Sequence, residues 1–186
     1  MWLLDQDHNS IRNMASLTFL GNPIKTCGQF PKVGEAAPTF TVLHTSTNSN
    51  VDTKTVFGNG KITVISFFPS IDTPVCSKQT KEFVHSKLIK ENNVQLMNIS
   101  MDLQFAQARH AQECGAVDAS TYYTDHVLAE FGTKYGVLLP DLRLLARGTA
   151  IVDKEGKLAY LQVCDEVTHD VDFAGLYKKL EEIVKA

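Results

Sequence analysis

A cysteine at the start of a predicted helix is the residue of this sequence best suited to chemistry. Cys76 follows Thr73, a good helix N-cap, and Pro74, which suits the first helical position. The amide groups of a first helical turn have no partners within the helix and favour negative charge beside them. We therefore expect Cys76 to ionise readily to the thiolate, the nucleophilic form of cysteine. The position would also suit a buried, inert cysteine.

The segment before this helix predicts a rigid support for the thiol. Residues 61–68 read KITVISFF, a run of β-branched and aromatic residues that is apolar on both faces. Such a run predicts a central strand buried from both sides. Pro69 ends it, because proline cannot donate to a sheet ladder. A strand, a loop and a helix with cysteine in its first turn together predict a reactive-thiol site.

Strands and helices alternate along most of the chain, which predicts an α/β layered domain. Besides the strand at 61–68, the predicted strands are residues 16–20 and 24–26 (a hairpin turning at Gly21-Asn22), 39–43, 94–101, 122–123, and the hairpin 149–152 with 158–161. The predicted helices are 73–90, 102–114 capped by Asp102, a helix capped by Asp125 that carries Val127, Leu128, Phe131 and Tyr135, and 171–184. Residues 44–60 are predicted as loop or irregular hairpin, and residues 137–146 as a packed loop.

Size and charge narrow the function classes. The 186 residues fit one domain with a sizeable core, and 44% hydrophobic and 21% charged residues are ordinary for a globular protein. A net charge of −3 predicts binding neither to nucleic acid nor to an anionic membrane surface. Residues 1–4 are too short an apolar segment for a signal peptide or a membrane span. We expect residues 1–13 to be a poorly ordered extension and residues 14–186 to form the domain.

The cysteines and histidines lack the spacing of a metal site. The four cysteines, Cys27, Cys76, Cys114 and Cys164, form no C-x-x-C pair. We therefore expect no zinc site and no thioredoxin-type dithiol, and we expect no cofactor. Few, scattered cysteines suit a reducing compartment in which any disulfide is transient, so we expect a cytoplasmic protein.

The residues around Cys76 also carry a family resemblance. Residues 69–76, PSIDTPVC, match the P-x-x-x-T-x-x-C signature of peroxiredoxins and resemble the bacterial thiol peroxidase branch. The resemblance runs from about Met14 to the C-terminus and includes three further motifs: MDLQFAQ at 101–107, LLAR at 144–147 and DEVT at 165–168.

The resemblance implies a thioredoxin-like fold, with a central mixed sheet flanked by helices and an N-terminal β-hairpin. It implies that Cys76 reduces hydrogen peroxide and organic hydroperoxides, while Thr73 and Arg147 orient and stabilise the reacting groups and Pro69 shields the thiolate. The oxidised Cys76 would be a sulfenic acid, which condenses with a second thiol. Thioredoxin would then reduce the resulting disulfide. The family also implies a homodimer.

The second thiol is where the sequence departs from the family pattern. After F-A-Q-x-R the pattern has one residue and then C-G-A, whereas here Cys114 comes three residues later. Three helical residues rotate a position by roughly 300° and raise it by about 4.5 Å. We expect Cys114 to be the resolving cysteine, apart from Cys76 in the reduced fold, with Cys164 as the alternative. A one-cysteine peroxidase that uses an external thiol and a non-enzymatic redox-sensing binding module are the rival functions.

Overall fold

The computed structural model describes residues 16–115 and 120–185 and is built around one large sheet. The strands are β1 (Ser16–Phe19), β2 (Asn22–Lys25), β3 (Thr41–His44), β4 (Ser49–Asp52), β5 (Thr63–Phe67), β6 (Gln95–Ser100), β7 (Tyr122–Thr124), β8 (Leu138–Leu139), β9 (Leu144–Leu145), β10 (Gly148–Val152) and β11 (Leu158–Val163). The helices are α1 (Pro74–His85), α2 (Lys87–Glu91), α3 (Gln104–Glu113), α4 (Glu130–Lys134) and α5 (Phe173–Lys185). The predicted extension at 1–13 lies outside the described residues.

The large sheet has seven strands in the order β11-β10-β5-β6-β7-β3-β4. The central strand β5 is parallel to β6, which is parallel to β7, and the outer pairings are antiparallel. Strands β1 and β2 form a separate hairpin that turns at Leu20-Gly21, one residue earlier than the sequence suggested. The predicted fold class, a mixed sheet flanked by helices with an N-terminal hairpin, is confirmed.

The central strand is buried on both faces, as its composition predicted. All five residues of β5 are buried. Val64 packs in one apolar cluster with Phe83 of α1 and Leu176 of α5. Ile65 and Phe67 point into the cluster on the opposite face, which also holds Phe131. Helices on both faces therefore hold the strand that leads to Cys76.

Two predicted helix caps are wrong. Asp102 does not cap α3, whose N-cap is Leu103; its carboxylate instead accepts hydrogen bonds from the loop that precedes α1. Asp125 lies five residues before α4, which begins at Glu130, although its carboxylate accepts from the amides of Phe131 and Gly132. In both cases a short acidic side chain satisfies nearby donors without starting the helix itself.

Three other segments differ from the prediction: one predicted helix is two helices, and two predicted loops contain short strands. The predicted helix 73–90 is broken at Ser86, where the backbone is extended (ψ 120°) and the hydroxyl accepts from the amide of Ile89 to start α2. Residues 44–60 contain β4, which pairs with β3, and a turn of 3-10 helix at Thr53–Thr55. Residues 137–146 form the small β8–β9 hairpin.

Among the described helices, none is both long and apolar enough to cross a bilayer.

Candidate active site

The loop between β5 and α1 is tied to the end of the neighbouring strand. Because β5 and β6 are parallel, their carboxyl ends lie at the same edge of the sheet, where α/β proteins usually place their sites. Asp102, just after β6, accepts hydrogen bonds from Ser70 Oγ (2.9 Å) and from the amide of Ile71 (2.7 Å). This carboxylate therefore fixes the loop that delivers Thr73 and Cys76.

Two donors converge on the sulfur of Cys76, which is fully buried. Thr73 Oγ1 lies 2.8 Å from Cys76 Sγ, and Arg147 Nη2 donates to the same sulfur over 3.2 Å. Thr73 is also the N-cap of α1, where its oxygen accepts from the amide of Cys76 at 3.4 Å. Pro69, at the start of the loop, is buried as well. The structure thus brings together Cys76, Thr73 and Arg147, and the thiol is surrounded by groups that favour a negative charge.

Arg147 is a buried residue, only 2% exposed. Its Nε donates to the carbonyl oxygen of Val167 (2.7 Å) and its Nη1 donates to Gln79 Oε1 (2.8 Å). Among the ion pairs of the described residues, none involves Arg147. The cation is therefore oriented by neutral acceptors, which leaves Cys76 Sγ as the contact that can carry the opposite charge.

Gln79 and Gly148 belong to the site, although sequence reasoning missed both. Gln79, buried one helical turn after Cys76, accepts from Arg147 and donates to Ser66 Oγ at 3.0 Å. A Cβ atom at Gly148 would lie 2.2 Å from the carbonyl oxygen of Gln162 and 2.5 Å from the ring of Phe67. A polar residue three positions after the cysteine on the same helix was the available signal for Gln79. The glycine after Arg147 was the signal for the close packing of β10.

Cys114 ends α3 and is nearly buried, at 6% exposure. Its Sγ lies 3.2 Å from both ring nitrogens of His110, and His85 Nε2 lies 2.9 Å from its carbonyl oxygen. Burial raises the pKa of the Cys114 thiol. All four cysteines are free thiols, so no disulfide joins Cys76 to Cys114.

The helix that carries Cys114 nevertheless packs against Cys76. Ala111 and Tyr122 share one buried cluster with Cys76, Phe68 and Ile71. Ala111 occupies the position at which the family pattern has its cysteine. The extra helical turn therefore leaves an alanine beside the Cys76 cluster and moves the thiol to His110.

The other two cysteines lie in different surroundings. Cys164, 4% exposed, belongs to the cluster of Phe83 and Leu176, and burial raises the pKa of its thiol. Its amide donates to the carbonyl oxygen of Arg147 at 2.9 Å. Cys27 is half-buried, with its Sγ 3.9 Å from the carbonyl oxygen of Gly132. Both have the contacts of packed, structural residues.

A surface cleft of about 910 Å³ runs along α1 beside the site. Cys76 does not line this cleft, although residues on both sides of it in the chain do. The lining residues include Pro74, Ser77, Lys78, Lys81, His85 and Tyr177. Within residues 16–115 and 120–185, no group of three or more histidine, cysteine or acidic side chains is arranged to hold a metal ion.

Known proteins with the same sequence pattern and fold identify the family. The Redoxin family model matches residues 32–180. Thiol peroxidases from Oceanobacillus iheyensis and Bacillus subtilis are each 40% identical, over 91% and 92% of this chain and 100% of their own. A crystal structure of a peroxiredoxin-like protein from Aquifex aeolicus aligns with a TM-score of 0.80 at 33% identity, covering 91% of this chain and 98% of that one. The chain therefore belongs to the Redoxin family, and within it to the thiol peroxidases, a branch of the peroxiredoxin enzymes.

Proposed function

We propose that the enzyme reduces hydrogen peroxide and organic hydroperoxides through the thiolate of Cys76. The observation that carries this proposal is the convergence of Thr73 Oγ1 and Arg147 Nη2 on one buried sulfur. The thiolate attacks one peroxide oxygen, so that a sulfur–oxygen bond forms while the oxygen–oxygen bond breaks. Water or an alcohol leaves, and Cys76 becomes a sulfenic acid.

Thr73 and Arg147 act on the charge that moves during this attack. Negative charge passes from the sulfur to the departing oxygen, so donors fixed beside both atoms lower the barrier. A guanidinium suits this task, because it is permanently charged and has further N–H groups besides those bound to Val167, Gln79 and Cys76. Pro69, buried at the start of the loop, limits the access of water to the thiolate.

Cys114 then resolves the sulfenic acid. Its thiol forms a disulfide with Cys76 and releases the oxygen as water. A disulfide requires Cα atoms about 4.4–6.8 Å apart. The last turn of α3 therefore unwinds to bring Cys114 to Cys76, which breaks the contact of the Cys114 carbonyl oxygen with His85. Gly115 directly follows the cysteine with a φ of +68°, and glycine adopts irregular backbone at low cost. The end of α3 therefore unwinds more easily than the first turn of α1.

Thioredoxin as reductant, a homodimer and a cytoplasmic location complete the proposal. These three features rest on the family resemblance and, for the compartment, on the scattered cysteines. A disulfide made in each cycle needs an external dithiol to reopen it, and a reducing compartment supplies one.

The test is peroxide consumption by the purified protein with thioredoxin, thioredoxin reductase and NADPH. We expect steady turnover by the parent and none by Cys76→Ser, because serine is nearly the same shape but far too weakly acidic to ionise. Sedimentation at several concentrations reports the oligomer. Consumption of a single equivalent without turnover would favour the redox-sensing module.

Intact mass after one equivalent of peroxide separates the two peroxidase mechanisms. An intramolecular disulfide loses two hydrogens, whereas a one-cysteine enzyme gains one oxygen. Peptide mapping then identifies the partner of Cys76. A bond from Cys76 to Cys164 or Cys27 would overturn the assignment of Cys114 without affecting that of Cys76.

A further inference from the structure

A buried histidine outside the peroxide-binding residues contacts both α1 and the thiol of Cys114. His110, 4% exposed on α3, lies with Nε2 2.9 Å from Ser77 Oγ and Nδ1 3.3 Å from the hydroxyl of Tyr122. Cys114 Sγ is 3.2 Å from each ring nitrogen. Ser77 directly follows Cys76 on α1, so the imidazole lies between the peroxidatic helix and the second thiol.

Cys114 needs help to react as proposed. Only the thiolate attacks a sulfenic sulfur at a useful rate. Burial raises the pKa of the Cys114 thiol above its ordinary value, so at neutral pH the residue carries its proton. Resolution therefore requires a group that removes this proton as the sulfur–sulfur bond forms.

His110 is in the right state to accept a proton. Burial, followed by the nearby charge of Lys81, lowers the pKa of the imidazole below its ordinary value of 6.5. The imidazole is therefore neutral at pH 7, and one of its two nitrogens is an acceptor. The titratable and charged groups around it, from α1, α3, β7 and the loop before α1, are Lys81, Arg109, Glu113, Cys114, Tyr122 and Asp72.

We propose that His110 is the general base of the resolving step, with Ser77 as the residue that orients it. This proposal rests on the proposed role of Cys114. With Nε2–H donating to Ser77 Oγ, Nδ1 is the acceptor nitrogen. It lies 3.3 Å from the hydroxyl of Tyr122 in this structure and takes the proton of the Cys114 thiol as the thiol reorients. A nucleophile, a base and a third group that orients the base form the arrangement of an activated thiol.

The step balances without a further reactant. Cys114 sulfur attacks the sulfenic sulfur of Cys76, the new sulfur–sulfur bond forms and the sulfur–oxygen bond breaks. The proton taken by His110 passes to the departing hydroxide, which leaves as water. The sulfenic sulfur is reduced and the sulfur of Cys114 is oxidised.

The contact between the Cys114 thiol and the ring of His110 becomes an aligned hydrogen bond as Cys114 moves toward Cys76. In this structure Cys114 Sγ is equally far from both ring nitrogens, so it lies over the face of the imidazole. It is therefore not in line with the lone pair of either nitrogen. Catalytic hydrogen bonds are often misaligned before reaction and align only in the reacting complex. Unwinding of the last turn of α3 supplies the reorientation in this case.

The test measures the rate of disulfide formation after one equivalent of hydrogen peroxide, by acid quench and intact mass between pH 5 and 9. In the parent we expect the rate to rise to a plateau with an inflection below pH 6.5. In His110→Gln we expect about 100-fold slower formation at pH 7, the effect of losing a general base. The rate of this variant should keep rising up to pH 9, because the thiol must then ionise by itself.

The matched control is His85→Gln. His85 is exposed and contacts the carbonyl oxygen of Cys114 but not its sulfur, so this variant should keep the parent's pH profile. Ser77→Ala should slow resolution less than His110→Gln, since it removes only the orienting contact.

Three results would overturn the proposal. The first is a parent rate that climbs through pH 8–9 without a plateau, a result that needs no variant. The second is a His110→Gln variant that forms the disulfide as fast as the parent. The third is a His110→Gln variant that forms it more slowly but with the same dependence on pH as the parent. Rapid disulfide formation in Cys114→Ser would instead show that the resolving cysteine was wrongly assigned, a failure of the proposed function that the mass data distinguish.

Discussion

Arg147 Nη2 donates to Cys76 Sγ across 3.2 Å, although 71 positions separate the two residues in the chain. Both side chains are buried, and the guanidinium is held by the carbonyl oxygen of Val167 and by Gln79. Burying a cation is costly unless an opposite charge lies beside it. Cys76 Sγ is therefore the contact of the buried guanidinium that could supply a compensating charge.

Arg147→Lys should lower kcat/KM for hydrogen peroxide by about 100-fold or more, the usual cost of removing one fixed donor at a site of developing charge. Lysine keeps the charge but cannot reach Val167, Gln79 and Cys76 at once. Steady-state peroxide consumption with thioredoxin measures the loss. Arg143→Lys, at an exposed arginine of the same segment, is the control and should match the parent. Equal activity of the two variants would remove Arg147 from the active centre.

Thr73→Val should slow the first reaction with peroxide by about 100-fold, because the donor 2.8 Å from Cys76 Sγ is lost. It should also lower the free energy of unfolding by about 1 kcal/mol, the usual worth of a helix N-cap. Thr73→Ser keeps the hydroxyl and should keep both properties. Rapid-quench formation of the sulfenic acid and urea unfolding provide the two measurements. A valine variant with the parent's rate would limit Thr73 to capping.

Gln79→Leu should lower both stability and activity. The change leaves Arg147 Nη1 and Ser66 Oγ without their buried partner, at a cost of about 1–3 kcal/mol in the free energy of unfolding. Arg147 would then lose part of its orientation, so kcat/KM for peroxide should fall by at least about tenfold. Gln29→Leu, at an exposed glutamine, is the control for the change of side chain. An active, stable Gln79→Leu would mean that Val167 and Cys76 suffice to hold the guanidinium.

Asp125 should make the fold less stable as the pH rises from about 4 to 6. Burial raises the pKa of this carboxyl from 3.8 to about 6, despite the amides of Gly132 and Phe131. Between these values the folded chain holds a proton that the unfolded chain has released, so raising the pH favours unfolding. The amide side chain of the Asp125→Asn variant does not titrate, so we expect the stability of the parent relative to this variant to fall by about 2–3 kcal/mol across this range. Urea unfolding of both proteins at pH 4, 5, 6 and 7 provides the comparison, and parallel pH curves would contradict it.

The features that the sequence determined by itself are those set by neighbouring residues. The burial of β5 follows from the apolar run at 61–68, and the position of Cys76 in the first turn of α1 follows from Thr73 and Pro74. The β10–β11 hairpin follows from two apolar segments around a polar turn. In each case periodicity, capping or turn chemistry acts over a few residues, so the local pattern was sufficient.

Only the tertiary structure decided which distant groups surround each thiol. Asp102 was predicted as a helix cap, yet it binds the loop at Ser70 and Ile71 because β5 and β6 end side by side. The contact of Cys114 with His110 is local, four residues back on the same helix. The contact of His110 with Ser77, in contrast, depends on how α3 packs on α1. Contacts between residues far apart in the chain depend on the closed fold, in which long-range packing and burial determine the partners of each polar group.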